Sequence, residues 1–570
     1  MSFSPNVVGK MSGSGELRPL KNPAPPMKGG MIDIVFNGRP RRIIGGVSLA
    51  QALSQAGTRV FARSLKYRRP RGPFCGQGQC AGCHVRLNGV PMVRSCLVEP
   101  RPGDRVVTEA GWPSTRYDLF AVMDWIFSGG MDTMRGFNRP FALRQTYLSL
   151  VRKFSGLGHL PDAAPAALPP PTAVAVDVLI IGGGTAGTAA AQLIRRQRPS
   201  TRLMVADRSR GEDNVVFLSP GDDGQFRSIV SSPRRSALLV SASKIIVATG
   251  TYDAGLPFRG SDLPGVFTGD GLVRLHSDPS VPLFQRLAIF GGNAHTLSLL
   301  DAWKERICLL ASPWELAPEV RRRAQTLGIP VREGVAIASA EGRNWIRAVA
   351  LVHRTTGQTE SFRLDGLVLS HRDLPQVGLL FQAGARMHWR NGAAAYFPEI
   401  NETCETSVPG VFAIGGVAGF CTEADSRESG ERAALAILEG DGTLGLPIRD
   451  PQSGPALLDR RVHREGPCPM LDYQTDFLRV LGSKKVILCP CEDVTLQELE
   501  RVVSDGWETS LEVAKRLTGV GMGLCQGRYC MPDAVLLLAA LSGRPPSDIG
   551  FFTQRPPVWP LRIGDLAGGK

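Results

Sequence analysis

Eight of the twelve cysteines in this 570-residue chain fall into two groups whose spacing suits a metal centre. Cys75, Cys80, Cys83 and Cys96 read C-x4-C-x2-C-x12-C, the ligand spacing of plant-type 2Fe–2S centres. Glycines at 76, 78 and 82 let backbone N–H groups turn toward the sulfurs, and the fourth thiol arrives from a following strand. Four-cysteine zinc sites favour two C-x2-C knuckles, and this group has one. Cys489, Cys491, Cys525 and Cys530 read C-x-C-x33-C-x4-C, two pairs that can converge on a second 2Fe–2S centre, with zinc as the competing occupant. Cys308, Cys404, Cys421 and Cys468 have no useful mutual spacing and read as buried or unpaired thiols.

Between the two groups lies a third chemical element. Val176 to Ile181 is an apolar strand, Gly182-Gly183-Gly184-Thr185-Ala186-Gly187 a glycine turn, and the alanine-rich run to Arg195 a helix. In a dinucleotide-binding unit Gly182 permits the tight turn, Gly184 the approach of phosphates, and Gly187 close packing of helix on strand. The helix N-terminus, with Thr185 and Ala186, then faces the negative charge. Asp207 ends the next apolar strand, where a carboxylate accepts from a ribose hydroxyl. Thr249 and Gly250 close the strand Lys244 to Ala248, and Gly415-Gly416 follow Val411 to Ile414 before another helix.

The elements that must position these residues imply an α/β multidomain chain. Residues 31–113 alternate as strand, Asn37-Gly38 turn, strand and helix Ser48 to Gln55 before the cysteine loop, a small mixed sheet. Residues 114–171 read as an amphipathic helical linker between domains, ending in the stiff Ala-Ala-Pro and Leu-Pro-Pro-Pro run. Residues 172–445 form the nucleotide-binding core, with a second strand–turn–helix unit inserted at about 283–375. That unit keeps Gly291 but has Asn293 and Thr296 where Gly184 and Gly187 stand, and its next strand, Ile307 to Leu310, ends in neither acid nor arginine. It reads as a retained fold with a weakened site. Residues 446–480 are irregular, and 481–570 carry helices Thr495 to Ser504, Ser510 to Leu517 and Asp533 to Leu541 around the second cysteine group.

Composition bounds the rest. The length suits about three to five domains, and 43% apolar with 21% charged residues is ordinary for a globular chain. Residues 1–30 lack an apolar core and read as a flexible tail rather than a secretory signal. No window reaches the roughly twenty apolar residues that span a bilayer. A reducing cytoplasm is the expected compartment, where clustered thiols are metal ligands rather than disulfides. The formal charge of +14 favours anionic partners or cofactors, and peripheral association with an anionic membrane surface fits it too. No basic helix or aromatic platform accompanies it, so nucleic acid is not an expected partner. The basic run Lys66, Arg68, Arg69, Arg71 either steers an acidic partner, neutralises a cofactor phosphate, or is a solvated loop. No serine–histidine or paired-carboxylate constellation suggests acid–base catalysis, and the eight histidines are scattered.

Taken together, Arg63-Ser-Leu-Lys-Tyr-Arg-Arg-Pro-Arg-Gly72, the GGGTAG turn, Ala248-Thr249-Gly250, Leu263-Pro-Gly-Val266, Thr406-Ser-Val-Pro-Gly-Val411 and Cys525-Gln-Gly-Arg-Tyr-Cys530 resemble the alpha subunit of heterotetrameric sarcosine oxidase and its relatives over about residues 31–565. These relatives include dye-linked proline and hydroxyproline dehydrogenases, opine oxidases and hydrogen cyanide synthase. The resemblance implies a β-grasp ferredoxin-like N-terminal domain, a two-dinucleotide Rossmann-like core, and a small helical C-terminal domain similar to bacterioferritin-associated ferredoxin. It also implies a separate flavin-containing catalytic beta subunit, FMN at a subunit interface as a further cofactor, and an electron acceptor protein or quinone. Two departures bear on the nucleotide. The 36 residues between Asp207 and Lys244 leave no room for the family's Gly-Gly-Gln insert, and Gly416 stands where the family has an acid that meets the flavin. An adenine moiety is therefore better supported than a working isoalloxazine: FAD first, then NAD or ATP. The absence of an aminomethyltransferase-like extension argues against folate-linked chemistry. The expected role is electron transfer within a heteromeric amine or amino-acid dehydrogenase. The rivals are a self-contained NAD(P)H or amine flavoprotein and a zinc-bound scaffold.

Overall fold

The structure, a computed structural model, describes residues 30–126, 170–208, 214–231, 236–276, 283–293, 295–420, 422–440, 485–559 and 561. The expected tail, most of the helical linker, the irregular 446–480 stretch, Cys421 and Cys468 lie outside them.

The N-terminal domain is a five-stranded mixed sheet in which Met31–Phe36 pairs antiparallel with Arg39–Ile44 and parallel with Arg105–Thr108. Asn37 and Gly38, at φ +49° and +78°, make the left-handed hairpin turn their types favour. Ser48 caps the helix Leu49–Gln55 by accepting from the Gln51 N–H at 3.3 Å, and Leu49, Ala50 and Leu53 lie fully buried beneath the sheet. His84–Leu87 and Val90–Arg94 complete the sheet and carry Cys83 and Cys96 at their ends.

In the core, Thr172–Ile181 lies between Leu203–Ala206 and Leu238–Val247 as parallel neighbours, with Val411–Ala413 beyond. Leu179, Ile180, Ile245 and Ile246 are fully buried, as expected of strands covered on both faces. The stretch after Asp207, read from sequence as a brief connection to a strand at Lys244, instead forms a hairpin, Asn214–Pro220 and Phe226–Ser231, that extends the sheet onto a longer Leu238–Val247. Val215, Phe217 and Leu218 before the Gly221-Asp-Asp-Gly224 turn carry that signal. The second unit is a parallel five-stranded sheet whose outermost strand, Val266–Thr268, lies upstream of residue 283. An antiparallel three-stranded sheet, Val335–Gly342, Ile346–His353 and Thr359–Arg363, flanks it. The chain is thus α/β and multidomain with a Rossmann-like core.

C-terminally, the hairpin Ile487–Cys489 and Val494–Thr495 leads into Leu496–Ser504, where Thr495 and Glu498 form a reciprocal capping box. Leu511–Thr518 and Met531–Ser542 pack beside it, the latter buried almost throughout. Among the described residues, no helix is long and apolar enough to cross a membrane.

The basic run corrects its sequence reading: it neither faces solvent nor steers a partner. Asp262, from the nucleotide-binding core, binds Arg69 through both carboxylate oxygens at 2.6 and 2.7 Å and Arg71 at 2.6 Å. Arg71 also pairs with Asp493 of the C-terminal domain and donates to the Pro490 carbonyl at 3.1 Å. Lys66 pairs with Glu498, and Arg68 with Asp118 at 2.9 Å. Three domains therefore meet on one buried ionic network, because each cation found a carboxylate far away in sequence. Of the helical segment, the described part is a short turn, Leu119–Val122, and helix Met123–Ile126. Its contact between domains is more ionic than aromatic: Trp125 is 79% exposed, whereas Asp124 pairs with Arg69 at 3.3 Å and with Lys485 at 2.8 Å.

Burial alone would push the Asp262 carboxyl up, yet Arg69 and Arg71 hold it well below the usual carboxylate range. Its pairing therefore stabilises the fold fully above the unfolded value near pH 4, and that stabilisation is lost as pH falls through the depressed folded value. Asp262→Ala should cost about 3–5 kcal/mol at pH 7, because it removes the shared carboxylate of two buried guanidinium groups and leaves Arg69 with Asp124 alone and Arg71 with Asp493 alone. Thermal unfolding of both proteins from pH 7 to pH 3 checks this; a gap that does not narrow in acid would assign the loss to packing instead.

Candidate functional site

Cys75, Cys80, Cys83 and Cys96 are brought together by the loop between Pro70–Arg71 and His84–Leu87 and by the turn Ser95–Leu97. The thiols touch in pairs, Cys75 with Cys80 and Cys83 with Cys96. The N–H groups of Gln79 and Cys80 point at Cys75 Sγ from 3.3 Å, and that of Gly82 at Cys80 Sγ from 3.4 Å. Gly76 and Gly78 have φ of +60° and +69°, and a Cβ on Gly82 would meet the Gly72 carbonyl at 2.2 Å, so glycine is what lets the loop close around sulfur. Burial raises the Cys75 thiol, but contact with Cys80 and nearby backbone N–H groups bring it down to about 6.

At the other end, Cys489 ends its strand, Cys491 lies in the hairpin turn, and Cys525 to Cys530 form the tight turn before helix Met531–Ser542. Cys491 touches Cys525 and Cys489 touches Cys530. A Cβ on Gly523 would lie 2.3 Å from that of Cys491, so Gly523 permits the approach of the two segments. The Cys525 thiol is held down to about 6, chiefly by Cys491 and against burial, with help from the Tyr529 N–H and Arg528. Each group offers four converging thiols and inward-facing N–H donors, which fits a four-thiolate cluster. The two groups also share one buried patch, in which Cys75, Cys80 and Cys525 lie with Tyr252, Phe397 and Tyr529.

Two residues to which the sequence gives no role stand beside these groups. Arg208 donates to Gln77 Oε1 at 3.2 Å and lies 4.1 Å over the Trp559 ring; Arg528 lies 4.4 Å over the same ring and donates to the Cys525 carbonyl at 3.0 Å. Burial, then Arg274 and Arg528, lower Arg208 to about 10. Buried positive charge next to a thiolate centre favours its more negative, reduced state.

At the nucleotide turn, Gly182 has φ +110° and a Cβ there would meet the Ala248 carbonyl at 2.2 Å; one on Gly187 would meet the Gly182 carbonyl at 2.0 Å. Around Gly184, the N-cap of helix Thr185–Gln197, a Cβ would meet nothing within 4 Å. Open space at an N-terminus is what a phosphate requires. Thr185 and Ala186 begin that helix, and Asp207 Oδ2 accepts from the Gly183 N–H at 2.9 Å. Gly250 has φ +69°, and Thr249 donates to the Gln376 carbonyl at 3.0 Å. Gly415 has φ +68° and donates to Ser429 Oγ at 3.0 Å, while a Cβ on Gly416 would lie 3.0 Å from Thr251 Cγ2. Thr251 thus crowds the place where the acid would stand.

The second glycine turn keeps the geometry, with Gly291 at φ +122°, but its surroundings are acidic. Asn293 Nδ2 donates to Asp253 at 2.7 Å and Asp373 at 2.8 Å, and Asp270 approaches His295 at 3.8 Å. Burial, then the charge of Asp270, raise Asp253 to about 7. Thr296, fully buried, is bonded to Ser370 at 3.2 Å. Carboxylates at a phosphate-binding turn repel the ligand the turn is built for. Of the remaining thiols, Cys404 is buried and Cys308 half-buried.

Residues 29–111 match a 2Fe-2S iron-sulfur cluster binding domain, 223–440 the pyridine nucleotide-disulphide oxidoreductase domain, and 483–570 the sarcosine oxidase A3 domain. The sarcosine oxidase alpha subunit of Rhizobium meliloti (strain 1021) is 25% identical over 94% of this chain, which spans only 58% of that relative's length. An opine oxidase subunit from the same strain is 28% identical over 57% of this chain and 76% of its own. Among solved structures, L-proline dehydrogenase from P. horikoshii aligns with a TM-score of 0.65 at 18% identity, covering 95% of this chain and 98% of that one. That likeness shows a shared fold.

The two glycines separate packing from binding. Gly187→Ala should destabilise by about 1–3 kcal/mol or more through overpacking, whereas Gly184→Ala should stay within about 0.5 kcal/mol of wild type. Thermal unfolding of the two variants reads this directly; equal losses would refute the assigned difference in packing.

Proposed function

We propose that this chain, which belongs to the family of sarcosine oxidase alpha subunits and their opine oxidase counterparts, is the electron-transfer subunit of a flavin-dependent amine or amino-acid dehydrogenase or oxidase. The observation that carries this reading is the pair of four-thiol groups, three thiols of each buried and Cys96 and Cys491 half-buried, abutting one patch of aromatic side chains. In it, substrate is oxidised on a flavin-containing beta subunit, and electrons leave through this chain to an acceptor protein or quinone. The assembly is a hetero-oligomer. A 2Fe–2S centre takes and gives one electron at a time, so two such centres can divide the pair that a flavin delivers.

The chain's own residues hold, insulate and tune. Cys75, Cys80, Cys83 and Cys96 hold one centre; Cys489, Cys491, Cys525 and Cys530 hold the other. Backbone N–H groups and the half-buried Arg208 and Arg528 would offset the negative charge that reduction adds. Gly182, Gly184, Thr185, Ala186, Gly187 and Asp207, with Thr249, Gly250, Gly415 and Gly416, cradle an adenine nucleotide. FAD is the first choice, NAD or ATP the next, and FMN belongs to the interface with the flavin subunit. The acidic second turn disfavours NAD(P)H as the electron source, which weighs against a self-contained reductase.

Anaerobic purification of the full chain should give a brown protein with about four irons. Cys80→Ser and Cys491→Ser should each lose about half of that iron and leave the other centre's spectrum intact. A colourless zinc protein would overturn the reading, and so would failure of a flavoprotein to co-purify when the chain is isolated from its native host.

A further inference from the structure

We propose that Tyr529 is the bridge through which the two cysteine-held centres exchange electrons, a role that rests on the reading above and deepens it. One side chain and its own backbone reach both ligand sets. The Tyr529 N–H bonds to the Cys525 sulfur, and its hydroxyl donates to Gln79 Oε1 at 3.1 Å. Gln79 in turn directs its N–H at Cys75 Sγ from 3.3 Å. From the sulfur of one group to the sulfur of the other, the path is therefore two residues and three hydrogen bonds, without a gap across open space. Tyr529 immediately precedes Cys530, and Phe74 immediately precedes Cys75; their rings meet edge-on with centroids 5.3 Å apart, which adds a second contact between the same two loops. Tyr252 packs edge-on against Tyr529 at 5.7 Å and anchors its own hydroxyl on the Arg528 carbonyl at 2.8 Å, so the bridging ring is fixed from behind.

The surroundings favour exchange within the molecule over loss to solvent. Tyr529 is 7% exposed and Gln79 1% exposed. Tunnelling between two one-electron sites falls steeply with distance and less steeply through bonds than through voids. The step forms and breaks no bond: one electron leaves the reduced centre of one group and enters the oxidised centre of the other, and the neutral phenol keeps its proton. Tyr529 is a positioning residue that supplies the medium and is itself neither oxidised nor reduced.

The test uses the full chain with its iron in place. A sub-stoichiometric pulse of dithionite followed by freeze-quenched electron paramagnetic resonance reads how fast the electron redistributes between the two centres. Tyr529→Phe keeps the ring and removes the hydroxyl bond; Tyr529→Leu removes both. With iron content and the two midpoint potentials unchanged, redistribution should slow in the first and slow further in the second. Gln79→Leu breaks the same bond from the other loop and should match Tyr529→Phe, which keeps the proposal testable if a Tyr529 variant does not fold. Unchanged redistribution in iron-replete Tyr529→Phe or Gln79→Leu would overturn the bridge while leaving the electron-transfer role standing. A wild-type chain without iron would instead overturn the underlying reading.

Discussion

The arrangement of this protein depends on Asp262. A carboxylate that far inside the molecule is tolerable only because Arg69 and Arg71 surround it, and Arg71 is tolerable only because Asp493 takes its other side. Each charge belongs to a different domain from its partner, so the network is satisfied only when all three domains are docked together. Hydrophobic contact would allow the domains to slide; bidentate guanidinium–carboxylate geometry fixes their register. Arg71 lies at the base of the first cysteine loop, and Asp493 two residues after Cys491. The ionic contact that joins the domains is thus also the contact that sets one thiol group against the other.

That placement gives the separate halves of the site a common purpose. Each cysteine group is closed by its own glycines and N–H donors, without help from the other. What their docking adds is a shared, water-poor interior containing Phe74, Tyr252 and Tyr529. The half-buried arginines at 208 and 528 approach from the nucleotide core and the C-terminal domain, each over the Trp559 ring. A chain built only to hold two metal sites would not require their walls to be common.

Much of this is legible in the sequence, and the physical reason is locality. Asn37-Gly38 specifies its turn by itself, Ser48 and Thr495 cap the helices that follow them, and the cysteine spacings and the glycine turn carry their geometry within a few residues. The family resemblance supplies the domain types. What cannot be read depends on partners remote in the chain. Arg69 and Arg71 resemble a solvated or steering run because nothing nearby in sequence neutralises them; their carboxylates are about 190 and 420 residues away. Arg208 and Arg528 escape notice for the same reason. The hairpin at 214–231 is a different kind of miss: its alternating apolar residues and Asp-Asp-Gly turn are local signals, obscured by the expectation that a nucleotide unit runs directly to its next strand.

The second nucleotide unit shows what this docking displaces. Gly291 preserves the backbone turn of a dinucleotide site, but Asp253, Asp270 and Asp373 crowd it with carboxyl groups whose mutual repulsion and burial already raise Asp253 and Asp373, and a pyrophosphate would add to that repulsion. Gln77, in the first cysteine loop, donates to Asp270 at 2.7 Å, and a Cβ on Gly76 would meet the Gly271 carbonyl at 3.0 Å. The cysteine loop therefore packs on the start of the helix Gly269–Leu275, beside the acidic turn. In a reductase fed by a pyridine nucleotide, this ground would have to stay open for the cofactor. Here it is given over to docking the first thiol group, so a unit with the shape of a dinucleotide site serves as the platform for that group.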